Sequence, residues 1–444
     1  MKRFLSCLLA VCFLLSCFGT IALASTPKPV TLKILADATA LTEDMFAALF
    51  AGFEAKYPNV TLETVVERDV NTKFAVLIAG GMEPNVFYVP FNIIPLVEEG
   101  RIMILNDLFT KPALDEEGTV GDQMISGSTE AMTYKGQAIG IPETPGFTGV
   151  VVNESMFEEH GWKIPTNWEE LIAVSREITA AGITPIAYGA LGLENRLEAC
   201  FMTNAQYEVG GDQFLIDLDN MVPGVWGSEN QVKSLQMLKD LVTNGVIDQK
   251  GLGMDCPQSQ VAFLQGKYAM CLSGFWFEME MTDQIPEGMK LGYIAFPANH
   301  EGEKQQVLNS WFNCWSAFET SDLDVREATE NFLKYIVSYE FQKKLATDGK
   351  LSLVINRKVM NEMSSDPNTT YFTQAVAKCL ADTNVKAVIT KYTGWYFQSF
   401  RAPSYIDVLS TVVAGTATPE QAAAACEALA EKLRKDDAIV KQTR

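Results

Sequence analysis

Residues 46–66 constrain the fold more tightly than any other part of this chain: an amphipathic helix runs into a Tyr-Pro-Asn turn and straight on into a strand. Phe46, Leu49, Phe50 and Phe53 recur at i, i+3, i+4 and i+7, so they share one helical face, and Pro58 forbids continuation of the helix. Val60, Leu62, Thr64 and Val66 then alternate with Thr61, Glu63 and Val65 at the two-residue period of a strand. Residues 30–35, ahead of the helix, are strand-like as well. Strand, helix, strand with a connection of this length favours a parallel pair with a right-handed crossover, which points to an α/β fold.

The pattern continues. A helix around 73–78 closes at Gly80-Gly81, a buried strand covers 85–89, and an apolar stretch over 91–99 ends at Gly100, as in a doubly wound sheet. In such sheets the loops at the carboxyl ends of strands meet ligand, which places residues 36–42 and 90–92 there. Residues 137–142 read as a short strand running into the turn Glu143-Thr144-Pro145-Gly146, a candidate crossing between lobes. Residues 149–153 are another strand, and Thr166 opens a helix through a capping box with Glu169, with Trp168, Leu171, Ile172 and Ile178 on its apolar face. A helix over 259–264 turns at Gly266 into a strand over 267–272, with Ser273-Gly274-Phe275-Trp276 just beyond its end. Thr418-Pro419-Glu420-Gln421 starts a helix by a second capping box.

The first 24 residues read as a signal peptide: Lys2 and Arg3 are the positive end, residues 4–15 the apolar run, and Ala22-Leu23-Ala24 the cleavage site. Leu14-Leu15-Ser16-Cys17 competes with it as a lipobox, in which lipid on Cys17 anchors the mature protein to a membrane surface. Either way the chain is exported. Beyond the leader no run approaches the ~20 apolar residues of a membrane span. The formal net charge of −20 becomes −22 once Lys2 and Arg3 leave, and such a surface repels phosphate backbones and anionic lipid, so nucleic acid is a poor partner. Six cysteines follow the leader, widely spaced and without a C-x-x-C pair; Cys271 in a strand and Cys426 in an alanine-rich helix read as small buried apolar residues. With His160 and His300 the sole histidines, no metal site and no cofactor are expected.

Six stretches, taken in order, resemble the extracellular solute-binding proteins of ABC transporters, in the large family that includes maltose-binding protein: FAGFEAKYPNVTLETV, TKFAVLIAGGMEPNVFYV with LVEEGRI, GQAIGIPETPGFTGVVVNESMFEEHGW, IPTNWEELIAVSREITAAGITPI, VAFLQGKYAMCLSGFW and NFLKYIVSYEFQKKLATDGKLSLV. The resemblance implies a periplasmic-binding-protein-like fold: two α/β lobes joined by a hinge that the chain crosses more than once, with a ligand cleft between them. The first lobe would hold 28–146 and 311–348, the second 147–310 and 349–444. It also implies a monomer that takes a small molecule, a sugar above all, to the permease subunits of an importer. Gly274-Phe275-Trp276 stands where many relatives read Gly-Ser-Trp, and residues 90–92 lack a charge that some sugar binders carry, so the identity of the ligand stays open.

A sugar presents an apolar C–H face and a rim of hydroxyls, so its site needs flat aromatic surfaces with amide, carboxylate or guanidinium partners. Trp276 is the first candidate platform, by loop position and by resemblance; packing between lobe elements is the plainer account. Trp311 falls where the chain returns to the first lobe, as hinge packing or ligand contact. Trp395 and Tyr396 offer a second platform, with Arg401 as a polar clamp, although one aromatic of that cluster is expected in the core. Glu143 and Asn92 are hydrogen-bonding candidates, and Tyr88 and Asp37 follow from strand-end position alone. Three rivals stand beside transport: a glycosidase using paired carboxylates, a sensory subunit presenting ligand to a membrane kinase, and the same fold holding a non-sugar solute. The chain has no G-x-S-x-G, no H-E-x-x-H and no phosphate-cradling glycine loop, which weakens the first.

Overall fold

The computed structural model describes residues 28–89, 93–125, 128–129, 132–191, 195–300, 305–389, 400 and 404–437. The leader with Cys17, and Asn92, Trp395, Tyr396 and Arg401, lie outside the described residues. Strands run in chain order as β1 Val30–Asp37, β2 Val60–Glu67, β3 Val86–Tyr88, β4 Thr133–Tyr134, β5 Gln137–Ala138, β6 Ile141–Asn153, β7 Thr184–Ala187, β8 Tyr268–Gly274, β9 Leu291–Ile294, β10 Gln306–Ala317 and β11 Val385–Ile389.

The opening unit forms as its pattern dictates. β1 and β2 pair in parallel from Val30 opposite Val60 to Asp37 opposite Glu67. Between them the helix Glu43–Lys56 starts where the Thr42 side chain accepts from the Met45 amide, and Glu43 and Asp44 occupy the first turn, where the helix dipole favours negative charge. Phe46, Leu49 and Phe53 are buried and Phe50 is half-buried, with the Phe53 ring edge-on to Phe332 at 5.0 Å. The alternation expected of β2 is not expressed as burial: Val60 is covered, but Val65 and Val66 are exposed. β2 is the edge of the sheet and pairs on one side only, which leaves its far half without a covering layer.

β3 adds to β1 in parallel, and the order β2-β1-β3-β10-β6-β8-β7 carries the sheet across the molecule. Two long strands make the crossing. β6 and β10 pair antiparallel from Thr148 opposite Asn309 to Ile141 opposite Trp315. The end of β10 pairs with β3 and its start with β11, while the second half of β6 pairs with β8 and with β9. The strand expected over 137–142 is divided between β5 and the start of β6, and the turn expected over 143–146 is instead part of β6, one buried strand of 13 residues running through Pro142, Pro145 and Gly146. Proline gives no ladder hydrogen bond, and β6 tolerates the pair because this part of the strand pairs with β10 alone, β8 joining only from Thr148, and because a bulge opposite Asn313 and Cys314 breaks the register beside Pro142.

Buried apolar side chains fall into two main clusters, one around Leu32, Leu35, Phe87 and Trp315, the other around Val152, Phe201, Trp226 and Phe296. The first cluster reaches past the crossing strands: it holds Leu351, Leu353, Val354, Ile355 and Val359 together with Phe147, Phe263, Cys271 and Tyr293. The Ile355 amide donates to Gln342 Oε1, and the Ile125 amide donates to the Ile355 carbonyl. Further on, the helix Tyr371–Ala381 returns to β9, where Phe372 meets Tyr293 edge-on.

Two helix starts show how near sequence reading comes. The helix Pro419–Lys435 has its expected box, with the Thr418 amide donating to Gln421 and the Gln421 amide to Thr418 Oγ1. The helix Trp168–Ala180 is capped instead by Asn167, which accepts from the Glu170 amide, while Glu170 reaches back to the Thr166 amide and hydroxyl. Expectation and structure differ by one residue, because an amide side chain caps as well as a hydroxyl. Cys271 and Cys426 are fully buried, as expected. No described helix is long and apolar enough to cross a membrane.

Truncating Phe53, which has no exposed surface and packs between the opening unit and Phe332, removes a buried ring that its neighbours cannot replace. Phe53→Ala should lower unfolding free energy by about 3–5 kcal/mol, read from denaturant titration.

Candidate functional site

The junction of β6, β8 and β10 brings two of the candidate aromatics together. Trp311 stands opposite Gly146 across the β6–β10 ladder, and Gly274 at the end of β8 stands opposite Thr148 on β6. Both tryptophans use a missing side chain: a Cβ on Gly146 would lie 2.5 Å from Trp311 Cε2, and one on Gly274 would lie 2.2 Å from Trp276 Cζ3. Each indole is thus seated on bare backbone, and the two ring centroids are 5.6 Å apart at 62°. Both rings remain half-buried.

Polar groups border this pair. Trp311 Nε1–H donates to Asn313 Oδ1 at 3.2 Å, and Asn313 Nδ2 donates to Thr144 Oγ1 at 3.1 Å, which fixes the indole along β10. The Arg196 guanidinium lies 5.3 Å from the Trp276 ring centre, a cation–π distance. Phe275 turns the other way into the core, stacked on Phe147 at 5.1 Å, so the larger residue beside Trp276 serves packing. Arg196, Asn313 and Thr144 escaped the sequence reading. The register of β6 against β10 would have exposed Asn313 and Thr144 as partners; Arg196 arrives from a distant segment with no local signal.

Asp37, Tyr88 and Glu143 form a second group, on β1, β3 and β6. Asp37 closes β1 and Tyr88 closes β3, with the Tyr88 ring edge-on to Trp315 at 5.8 Å. Asp37 accepts from the Thr39 amide and hydroxyl. Glu143 occupies the bulge of β6 and is fully buried, and neither carboxyl oxygen has a hydrogen-bond partner among the described residues. Burial pushes its carboxyl up to about 8 and the nearby Asp37 charge adds to this; the Trp315 indole N–H leans towards it and opposes the rise, but falls short of hydrogen-bond geometry. Glu143 therefore carries its proton at neutral pH. An open cavity of about 330 Å³ lies elsewhere, between the helices Arg357–Ser365 and Tyr371–Ala381, and none of the candidate residues lines it.

Paired α/β halves bridged by β6 and β10, with aromatic and polar side chains gathered on the bridge, define the class: a two-lobed ligand-binding protein. The chain belongs to the bacterial extracellular solute-binding proteins, whose family model matches residues 48–371. A relative from Rhizobium meliloti, named as a probable sugar-binding periplasmic protein, is 26% identical over 225 residues, which is 49% of this chain and 51% of that one. The chain spans between about a third and two thirds of the length of such curated relatives. Among solved structures, a chitin oligosaccharide binding protein is 19% identical with a TM-score of 0.75, over 91% of this chain and 99% of that one. The GacH receptor of Streptomyces glaucescens, solved unliganded and with acarbose, is 23% identical with a TM-score of 0.70, over 92% and 99%. These likenesses show the two-lobed fold.

Two measurements check this geometry. Gly274→Ala should displace Trp276, changing the near-ultraviolet circular dichroism while the far-ultraviolet spectrum keeps its shape. The raised Glu143 carboxyl binds a proton in the folded chain that an unfolded chain releases above about 4.5, so its stabilising share is complete below that pH and is lost as pH rises to about 8. Unfolding free energy should accordingly fall by a few kcal/mol across that window in the wild type and much less in Glu143→Gln.

Proposed function

We propose that this protein is the extracytoplasmic binding component of an ABC importer and captures a carbohydrate, a mono- or oligosaccharide, between its lobes. The observation that carries this reading is the Trp276–Trp311 pair on its glycine seats, bordered by Arg196 and Asn313. Indole faces match the C–H face of a pyranose, and amide, hydroxyl and guanidinium groups match its hydroxyls. A relative named as a probable sugar-binding protein, a neighbour named as a chitin oligosaccharide binding protein and one solved with acarbose support it. Asn92, Trp395, Tyr396 and Arg401 keep their place as proposed contacts, and Asp37, Tyr88 and Glu143 as a proposed first-lobe group.

In this reading the first lobe takes 28–146 and 311–348, and the second takes 147–310 and 349–444. Only a closed arrangement lets both lobes touch the sugar, so ligand shifts the equilibrium towards closure, and the closed form is what a permease pair recognises. The monomer leaves the cytoplasm by its leader and is either held by lipid on Cys17 or released after cleavage near Ala24. The sugar is handed on chemically intact.

A thermal-shift screen of mono- and oligosaccharides tests this directly, because a ligand that binds the native state alone must raise the melting temperature. At least one sugar should do so and be recovered uncleaved. With that sugar, Trp276→Ala should weaken binding by about 1–3 kcal/mol in calorimetry, and unchanged affinity would remove Trp276 from the site.

A further inference from the structure

We propose that Glu143 makes the crossing between the lobes responsive to pH: with its proton on, the β6 bulge stays packed against β10, and loss of that proton loosens the bulge and frees the lobes to part. The inference rests on the two crossing strands and needs no ligand.

The geometry leaves a charged Glu143 nowhere to go. Its backbone carbonyl is pinned by Gln342 Nε2 at 3.0 Å, from the helix Tyr339–Thr347, so the residue cannot slide along the strand. On either side of it Pro142 pairs with Cys314 and Thr144 with Asn313, which tucks the intervening side chain inward. The groups facing it are Asp37 from the end of β1, the Cys314 thiol and Trp315 indole from β10, Tyr88 beyond Trp315 on β3, and the neutral Gln342. Burial, with Glu143 adding to it, pushes the Cys314 thiol well up, so that group stays neutral over the whole range. Among the described residues the charge that acts on Glu143 is that of Asp37, and it repels. A protonated carboxyl is tolerated in such a place, whereas a carboxylate there is both desolvated and opposed.

Water is the remaining source of stabilisation for the carboxylate. The bulge is the weakest point of the ladder around it, since the register already breaks there and Pro142 and Pro145 give no amide hydrogen. Opening the bulge admits solvent to Glu143 and at the same moment slackens β6 against β10. Those two strands carry the sheet from one half of the molecule to the other, so a change of a few atoms is read out as a change in how the halves sit. The pH at which this happens follows the carboxyl, near 8.

X-ray scattering of the ligand-free, full mature chain from about pH 6 to about pH 9.5 tests the device. The radius of gyration of the wild type should rise with a midpoint near 8, and Glu143→Gln should hold the low-pH value throughout. Asp37→Asn removes the repelling neighbour, so its midpoint should move to lower pH. Superimposable profiles for wild type and Glu143→Gln, or a wild type flat across the range, would overturn the inference. Should Glu143→Gln not fold, the midpoint in Asp37→Asn decides alone: no downward displacement sinks it. Either failure leaves the sugar-binding proposal standing, because no sugar is present.

Discussion

The antiparallel pairing of β6 with β10 is the constraint on which the rest of this structure depends. It joins β3 on one side to β8 and β9 on the other, so the two α/β halves are held to one sheet. The same ladder sets Trp311 over Gly146, places Asn313 beside Thr144 and forces Glu143 into the bulge. Move the register by one residue and every one of these groups changes face. Hinge, aromatic pair and buried acid are three consequences of one strand alignment.

Within that alignment the two ends of the bridge differ in character. Towards the second lobe the surface is aromatic and half-open, with indoles lying on glycine backbone and a guanidinium above one of them. Towards the first lobe it is closed and acidic, with Glu143 kept neutral by burial next to Asp37. Stacking tolerates small displacements, because its energy spreads over many weak contacts, whereas an unpartnered buried acid does not. The bridge thus combines a forgiving contact surface with a sensitive one.

Much of the fold was legible where local chemistry and tertiary packing agree. The helix stopped at Pro58, the parallel β1–β2 pair and the Thr418 box each follow from neighbours in sequence. Legibility failed where the partner is distant. Pro142, Pro145 and Gly146 look like a turn in isolation and become a continuous strand because β10, more than a hundred residues away, pairs along them on both sides of the β6 bulge. Trp276 and Trp311 were readable as candidates from loop position and composition, but their meeting depends on glycines in two other strands. Arg196 carried no signal at all, and Asn167 took a capping role assigned to its neighbour because both residue types perform it.

The cysteines add a practical corollary. All six thiols among the described residues are buried, and burial pushes those of Cys200, Cys379 and Cys426 up to about 12, out of the range where thiolate chemistry is fast. Alkylating dyes should find the folded molecule inert at these positions. A cysteine introduced on an outer face of either half would then be a unique handle among them, and a fluorophore there would turn the proposed parting of the halves into an optical gauge.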